Sequence, residues 1–255
     1  MDEQTPQRGD IVLQADSAHA WIIPLDISML EMDAFSETLS PSESRRADAF
    51  HFDVDRFRFI AGRGALRTIL GRYLNESPVY IEFEYEPRGK PRLAGQFASG
   101  DLQFNLAHCE DVAVLALAWG CSVGIDVERE RDFDDIEPVV KVICSPRQVA
   151  EFEALRSDQQ TAAFYRLWTR KEAWLKATGN GITTSLEEVE PSFLPGETAH
   201  YQSLPKSFST PVNNWSLFDF MPKPGFIAAL ALDKEIEHLE VGRRVEQRTL
   251  EASYV

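Results

Sequence analysis

Two carboxylates share one face of a short predicted strand, Val123 to Glu128. With the two-residue period of a strand, Asp126 and Glu128 point to one side and the intervening apolar side chains to the other. Adjacent carboxylates repel each other unless a positive group lies between them, and Mg²⁺ prefers oxygen ligands of this kind. A divalent cation bound between the two carboxylates would offset the repulsion, although this segment alone slightly favours the alternative. The alternative is an exposed strand face that leads into a charged loop.

A helix that ends at Gly179 offers a third carboxylate and two lysines. Glu172 and Lys176 are four positions apart, so they lie along one flank of this helix. On spacing alone the pair is typical of a surface ion pair, but beside the strand carboxylates it would complete a metal and phosphate site. Lys171 falls inside the apolar arc of the helix, where we expect a buried partner or a side chain that extends to solvent.

Two further residues could bind an anion. Lys90 lies in a turn between Pro87 and Pro91, and His108 lies at the end of a strand that begins at Leu102. An ammonium group and an imidazole ring can both donate to phosphate. A solvated turn lysine and a structural histidine are the alternatives.

The overall charge is acidic, with 26 Lys and Arg against 41 Asp and Glu and a net charge of −15. This balance argues against a general nucleic-acid or anionic-membrane binder. No apolar run approaches the roughly 20 residues of a membrane helix, and the first residues do not resemble a signal peptide. The three cysteines form no CxxC pair, which is typical of a reducing compartment. We therefore expect a cytoplasmic protein, whose two basic islands, at 43–72 and 166–176, leave room for a polyanionic small ligand.

The predicted elements repeat once along the chain. The first set is a helix from Asp55 to Leu74, followed by strands at Val79–Tyr85, Leu102–Leu106 and Val112–Ala118. The second set is a helix from Thr161 to Thr178, followed by strands at Glu187–Phe193, Trp215–Phe220 and Phe226–Leu232. A helix that opens at Ser145-Pro146 lies between the two sets, and the weak pattern of the tail from Asp233 to Val255 indicates a final helix.

The closing strands of the two sets are similar in sequence. Residues 113–118 (AVLALA) and 227–232 (IAALAL) are offset by 114 positions, close to half the chain. We therefore predict an α+β fold of two similar halves, each a long helix packed on a small, mostly antiparallel sheet. The predicted halves are residues 1–121 and 122–255.

Four segments, in this order, resemble the 4′-phosphopantetheinyl transferase superfamily, in particular its broad-specificity type that activates peptide and polyketide synthetases. They are Gly89-Lys90-Pro91, Phe104-Asn105-Leu106-Ala107-His108, Gly124-Ile125-Asp126-Val127-Glu128, and Trp168-Thr169-Arg170-Lys171-Glu172-Ala173 through Lys176. The resemblance spans about Pro41 to Gly181. Ala107 departs from the pattern, because many relatives have serine there, so a hydroxyl contact to the ligand is lost.

The resemblance implies a pseudo-twofold pair of halves with coenzyme A in the cleft between them. It implies transfer of the phosphopantetheine group to a serine of an apo acyl or peptidyl carrier protein, with release of adenosine 3′,5′-bisphosphate. By position, Asp126, Glu128 and Glu172 would hold Mg²⁺, or Mn²⁺ in its place. Glu172 would act as the base, and Lys176 would neutralise the pyrophosphate.

The resemblance also implies where coenzyme A binds. Its predicted contacts are Arg46, Arg88, Gly89, Lys90, Asn105, His108, Asp126 and Lys176. Because the duplication supplies a complete cleft within one chain, we expect a monomer. Two other functions stay open: a non-catalytic coenzyme A or nucleotide-binding protein, and a metal-dependent phosphohydrolase that directs the same carboxylates at water.

Overall fold

A computed structural model describes residues 11–132, 136–179, 186–208 and 210–243. The helices are α1 (Met29–Ser36), α2 (Pro41–Asp48), α3 (Asp53–Leu74), α4 (Ile136–Ile143), α5 (Pro146–Glu153) and α6 (Ser157–Thr178). The strands are β1 (Ser17–Pro24), β2 (Phe83–Tyr85), β3 (Pro91–Leu93), β4 (Leu102–Cys109), β5 (Val112–Trp119), β6 (Val123–Arg129), β7 (Glu190–Pro191), β8 (Tyr201–Ser203), β9 (Ser216–Phe220), β10 (Phe226–Leu232) and β11 (His238–Arg243).

The predicted repeat is present in the order of the elements. Each half runs through a strand, two short helices, a 22-residue helix, a small two-stranded ribbon and two longer strands. The larger sheets have equivalent orders, β1-β5-β4 in the first half and β6-β10-β9 in the second. All of these neighbours are antiparallel. The α+β prediction is therefore confirmed.

The two sheets pack face to face between the long helices. Alternate residues of β5 serve different cores: Leu115 and Leu117 pack with α3, whereas Val114 and Ala116 pack with Ile125 of β6 in a core shared by both sheets. On the outer side of the second sheet, α6 packs against β10. Because both faces of each sheet are covered, the central strands are apolar along their whole length rather than alternating with polar residues.

Strand β11 links the halves a second time. It leaves the end of β10 and pairs in parallel with β1, so the sheet of the first half gains a fourth strand from the end of the chain. The segment between β5 and β6 is hydrogen-bonded to the segment between β10 and β11. The Ser122 amide and hydroxyl of the first segment donate to the Asp233 carboxylate of the second at 2.6 and 2.8 Å. The boundary between halves at residue 121 stays a prediction, with β11 belonging by pairing to the first sheet.

Three local predictions need correction. The tail was expected to be helical, but residues 238–243 form β11, and residues 244–255 lie outside the described residues. The strand expected from Val79 begins only at Phe83, because Pro78 opens a 3₁₀ turn over Pro78–Tyr80. The strand expected over Glu187–Phe193 is reduced to Glu190–Pro191, since a proline removes one ladder donor.

The predicted start of α5 and the predicted end of α6 agree with the structure. Ser145 caps α5 by accepting a hydrogen bond from the Gln148 amide, as predicted. Helix α6 ends at Gly179, which takes a left-handed conformation with φ of 70°. Within the described ranges, no helix combines the length and apolar character needed to cross a membrane.

Candidate functional site

The contact between β6 and α6 depends on one glycine. A Cβ atom built on Gly124 would lie 2.0 Å from the carbonyl oxygen of Ala173 and 2.2 Å from the amide nitrogen of Ala177, both backbone atoms of α6. No real Cβ approaches backbone so closely, so only glycine allows the strand to touch the helix here. The same face of β6 carries Asp126 and Glu128, two and four positions further along.

This contact brings the carboxylates of β6 to the charged flank of α6. The Lys176 ammonium donates to Asp126 Oδ1 at 2.5 Å, and the Asp126 side chain is almost fully buried. Lys176 therefore pairs across the strand–helix contact, whereas spacing alone suggested an ion pair with Glu172 within the helix. The Glu128 carboxylate accepts from the Trp168 indole at 3.3 Å and from the Cys109 thiol at 3.8 Å.

The remaining carboxylates are held in a strongly acidic environment. Burial, followed by the negative charge of Asp126, raises the pKa of Glu172, and Lys176 offsets only part of this effect. Burial and Asp126 likewise raise the pKa of Glu128, against the opposing hydrogen bond from Trp168. A raised pKa marks a group that binds a proton more readily, which is what a general base needs.

Two carboxylate oxygens at this site are buried without a hydrogen-bond partner. They are Asp126 Oδ2 and Glu172 Oε1. A buried carboxylate oxygen without a donor is costly, and oxygens of this type are the ligands that hard divalent cations prefer. These orphan oxygens and the mutual repulsion of the carboxylates suit a cation. In the part of the chain that the structure describes, however, no three His, Cys, Asp or Glu side chains converge into a closed metal-ligand set.

The first half contributes His108, at the C-terminal end of β4. Desolvation lowers the pKa of His108 although part of the ring is exposed, and the positive charges of Lys176 and Arg58 lower the pKa further. The ring is therefore neutral near pH 7, and Lys176 is near enough to affect its protonation. In the sequence, Arg58 belongs to the first basic island and to a helix region that also resembles the family. Its helical position on α3 gave no signal that it would lie near β4.

Lys90 and Asn105 are engaged with backbone of the second half. The Lys90 ammonium donates to the carbonyl oxygens of Val123 at 2.9 Å and Lys176 at 2.7 Å, and burial lowers the pKa of this lysine. The Asn105 side-chain oxygen accepts from the Ile125 amide at 2.8 Å. Both residues thus lie beside the site, with their polar groups already bonded across the two halves.

The other predicted nucleotide contacts lie on the surface of the first half. Gly89, with φ of 84°, closes the hairpin between β2 and β3, and Arg88 lies beside it on the exposed tip. Arg46 is exposed on α2, with its guanidinium 5.1 Å from the centre of the Phe59 ring. The structure leaves these three residues open to solvent.

Lys171 has the buried partners that its position in the apolar arc required. Its ammonium is fully buried and donates to Gln148 Oε1 at 3.1 Å, to the Leu186 carbonyl at 2.9 Å and to the Val189 carbonyl. Burial lowers the pKa of Lys171 to about 8. It anchors α5 and the segment before β7 to α6, on the side of the helix away from Asp126. Trp168 lies on the apolar face of this helix and in the fourth family-like segment, and neither pattern indicated its hydrogen bond to Glu128.

The fold and the site together define a duplicated α+β protein whose carboxylate–lysine cluster lies where the halves meet. The family model described as the 4′-phosphopantetheinyl transferase superfamily matches residues 122–231. A second, described as the N-terminal part of 4′-phosphopantetheinyl transferase, matches residues 27–119. The N-terminal match ends with β5, and the other match begins in the short connection between β5 and β6.

Similar curated proteins extend over most of the chain. The 4′-phosphopantetheinyl transferase HetI of a Nostoc species is 40% identical over 89% of this chain and 92% of its own length. AcpT of Salmonella typhimurium is 35% identical over 62% of this chain and 78% of its own, and Sfp of Bacillus subtilis is 26% identical over 63% and 69%. The chain belongs to the 4′-phosphopantetheinyl transferase superfamily.

Proposed function

We propose that this protein transfers the 4′-phosphopantetheine group of coenzyme A to a serine hydroxyl of an apo acyl or peptidyl carrier protein. The observation that carries the proposal is the cluster of Asp126, Glu172 and Lys176, which the contact between β6 and α6 brings together and whose lysine influences the pKa of His108. Family membership supplies the reaction class, and this cluster supplies the groups that the reaction needs. The four sequence segments imply the broad-specificity type, which stays a prediction.

Each step has a residue suited to it. The serine hydroxyl is a weak nucleophile, so Glu172 accepts its proton as the oxygen bonds to the β-phosphorus of coenzyme A. The bond between that phosphorus and the bridging pyrophosphate oxygen breaks, and adenosine 3′,5′-bisphosphate leaves with the bond electrons. Lys176 offsets the charge that builds up on this leaving oxygen.

Asp126, Glu128 and Glu172 would hold Mg²⁺, or Mn²⁺ in its place. The orphan oxygens of Asp126 and Glu172 and the raised pKa values of Glu128 and Glu172 support this assignment. When bound, the cation supplies positive charge against the pyrophosphate. Lys176 is already bonded to Asp126, so this lysine and the cation would share the negative charge of one carboxylate.

The nucleotide end of coenzyme A would lie on the first half. Arg46, Arg88 and His108 offer hydrogen-bond donors there. The exposed backbone of Gly89 lies next to Arg88, at the tip of the hairpin between β2 and β3. Asp126 and Lys176 would contact the pyrophosphate end. Lys90 and Asn105 stay predicted contacts of coenzyme A, although their polar groups are hydrogen-bonded to the backbone of the second half.

The three free cysteines support the predicted reducing, cytoplasmic location. The monomer stays a prediction.

One mass-spectrometric assay separates this function from the two alternatives. The protein is incubated with coenzyme A, Mg²⁺ and an apo carrier domain, with Glu172→Gln as the matched inactive control. Transfer adds phosphopantetheine to the carrier serine. Hydrolysis would consume coenzyme A and leave the carrier unmodified. A binding protein would leave both coenzyme A and the carrier unchanged. Either of these results would contradict the proposal.

A further inference from the structure

The strand that carries Asp126 and Glu128 has one edge without a strand partner. On one side β6 pairs with β10. Along its other edge, no strand in the described ranges is hydrogen-bonded to it. Backbone groups at such an edge need other partners when they are buried. At this edge the Val123 carbonyl and the Ile125 amide point away from β10, because residues two apart in a strand present their polar groups to the same side.

Side chains of the first half satisfy both of these groups. Lys90 Nζ donates to the Val123 carbonyl at 2.9 Å, and Asn105 Oδ1 accepts from the Ile125 amide at 2.8 Å. Lys90 donates a second hydrogen bond, of 2.7 Å, to the Lys176 carbonyl near the end of α6. A lysine at a helix C-terminus satisfies a carbonyl that lacks a partner within the helix and interacts favourably with the helix dipole.

We propose that Lys90 and Asn105 are positioning residues that clamp the free edge of β6 and the end of α6 to the first half. The clamped groups belong to the residues on either side of Gly124, the point at which strand and helix touch. Holding the strand there sets the position of Asp126 relative to Lys176, and of both relative to His108. The effect of this clamp on catalysis rests on the proposed function, whereas the existence of the clamp does not depend on it.

This role differs from that of a ligand contact in what it does to the kinetics. A residue that binds coenzyme A equally in the ground and transition states changes KM, whereas misplacement of catalytic groups lowers kcat. A displacement of about 1 Å can cost roughly a hundredfold in rate. The two roles can therefore be separated by steady-state measurements on the same variants.

The kinetic test uses Lys90→Met and Asn105→Ala, which remove the donor and the acceptor. Matched controls are two exposed positions, Arg92→Met on β3, two residues after Lys90, and Gln103→Ala on β4, two residues before Asn105. We expect kcat to fall by about tenfold or more in both clamp variants, with KM for coenzyme A changed by less than about threefold. An unchanged kcat, with or without a rise in KM, would overturn the proposal.

Hydrogen exchange tests the clamp without any activity. In the wild-type protein the Ile125 amide should be protected about as well as that of Asp126, which points towards β10. In Asn105→Ala the Ile125 amide should exchange at least about tenfold faster while Asp126 keeps its protection. An unprotected Ile125 in the wild type, or no change in Asn105→Ala, would overturn the clamp. Failure of carrier modification by the wild type would instead reject the proposed function and leave this measurement intact.

Discussion

Replacing Gly124 by alanine should damage the enzyme more than any other single added methyl group near the site. The new Cβ would meet three backbone atoms of α6, at 2.0 Å from Ala173 O and at 2.2 and 2.8 Å from Ala177 N and Cα. Backbone cannot rotate away as a side-chain tip can. Because non-bonded heavy atoms pack at about 3.5 Å, β6 and α6 must separate by about 1 Å or more.

The separation should cost both stability and rate. Overpacking a well-packed core typically costs about 1–3 kcal/mol, which for a protein of this size lowers Tm by roughly 2–12 °C. A displacement of about 1 Å between Asp126 on the strand and Glu172 and Lys176 on the helix should lower kcat about a hundredfold. The rate should fall further than the loss of folded protein at the assay temperature can explain.

The assay compares thermal melting and carrier modification at saturating coenzyme A for Gly124→Ala and a control, Gly62→Ala. Gly62 lies inside α3, where a new Cβ would be 3.5 Å from Leu25 Cδ2, an ordinary contact. Alanine in a helix is favoured over glycine by about 1 kcal/mol, so the control should melt no lower than the wild type. A Gly124→Ala variant with wild-type Tm and kcat would refute the close contact between β6 and α6.

Other outcomes follow from the same site. Arg46→Ala should raise KM for coenzyme A about tenfold with kcat unchanged, since a charge-assisted hydrogen bond is worth about 1.5–3 kcal/mol; an unchanged KM would remove Arg46 from the ligand site. Asp126→Asn and Glu172→Gln should each abolish transfer while retaining the fold, and wild-type turnover by either variant at limiting Mg²⁺ would contradict the carboxylate site. A collapse of Tm together with activity would favour a structural ion pair. Without a divalent cation, Glu172→Gln should melt above the wild type at pH 7, because a raised folded-state pKa means that stability is lost as pH rises through that pKa. This difference should shrink towards pH 4.5, the ordinary pKa of the side chain, and a constant difference across that range would contradict the raised pKa.

Local patterns predicted the elements that repeat and the faces that they bury. The long helices were expected to begin at Asp55 and Thr161, and they begin at Asp53 and Ser157. Strand alternation correctly separated Asp126 from the apolar side chains that face the shared core. These features depend on residues close together in the chain, where hydrophobic period and turn residues carry most of the information.

Contacts across the halves were not visible in the sequence. Nothing in a lysine between two prolines indicates that its ammonium will bond to carbonyls 33 and 86 positions away. Likewise, the expected pair of Glu172 and Lys176 follows from helix spacing, and only the tertiary contact with β6 gives Lys176 a better partner in Asp126. The prediction of a helix in the tail was wrong for a related reason, because β11 is an edge strand whose pairing with β1 is set by the rest of the fold.

The duplication explains why only the second half carries the carboxylates. The offset of 114 positions makes Leu115 of β5 equivalent to Ala229 of β10. Leu115 pairs with Trp21 of β1, and Ala229 pairs with Asp126 of β6, so Trp21 takes the place of Asp126 in the first half. By the same register, His19 takes the place of Gly124.

In the first half these larger side chains fill the space between strand and helix. The Trp21 indole donates to the Tyr73 hydroxyl at 2.9 Å, and that hydroxyl is 2.6 Å from His19 Nδ1. Tyr73 lies one residue before the end of α3, as Ala177 does in α6. The Tyr73 hydroxyl thus accepts from Trp21 and shares a second hydrogen bond with His19, and burial raises the pKa of Tyr73 to about 12, which keeps it neutral.

The two halves thus solve the same packing problem in opposite ways. The first half separates strand and helix with hydrogen-bonded aromatic groups and is left with no carboxylate at this position. The second half uses Gly124 and two alanines to bring the backbones into contact, which leaves room beside them for Asp126 and Lys176. Since the first half instead supplies His108 and the side chains that clamp β6, neither half contains the whole site. One chain can therefore form one such site, and it depends on both halves keeping their relative position.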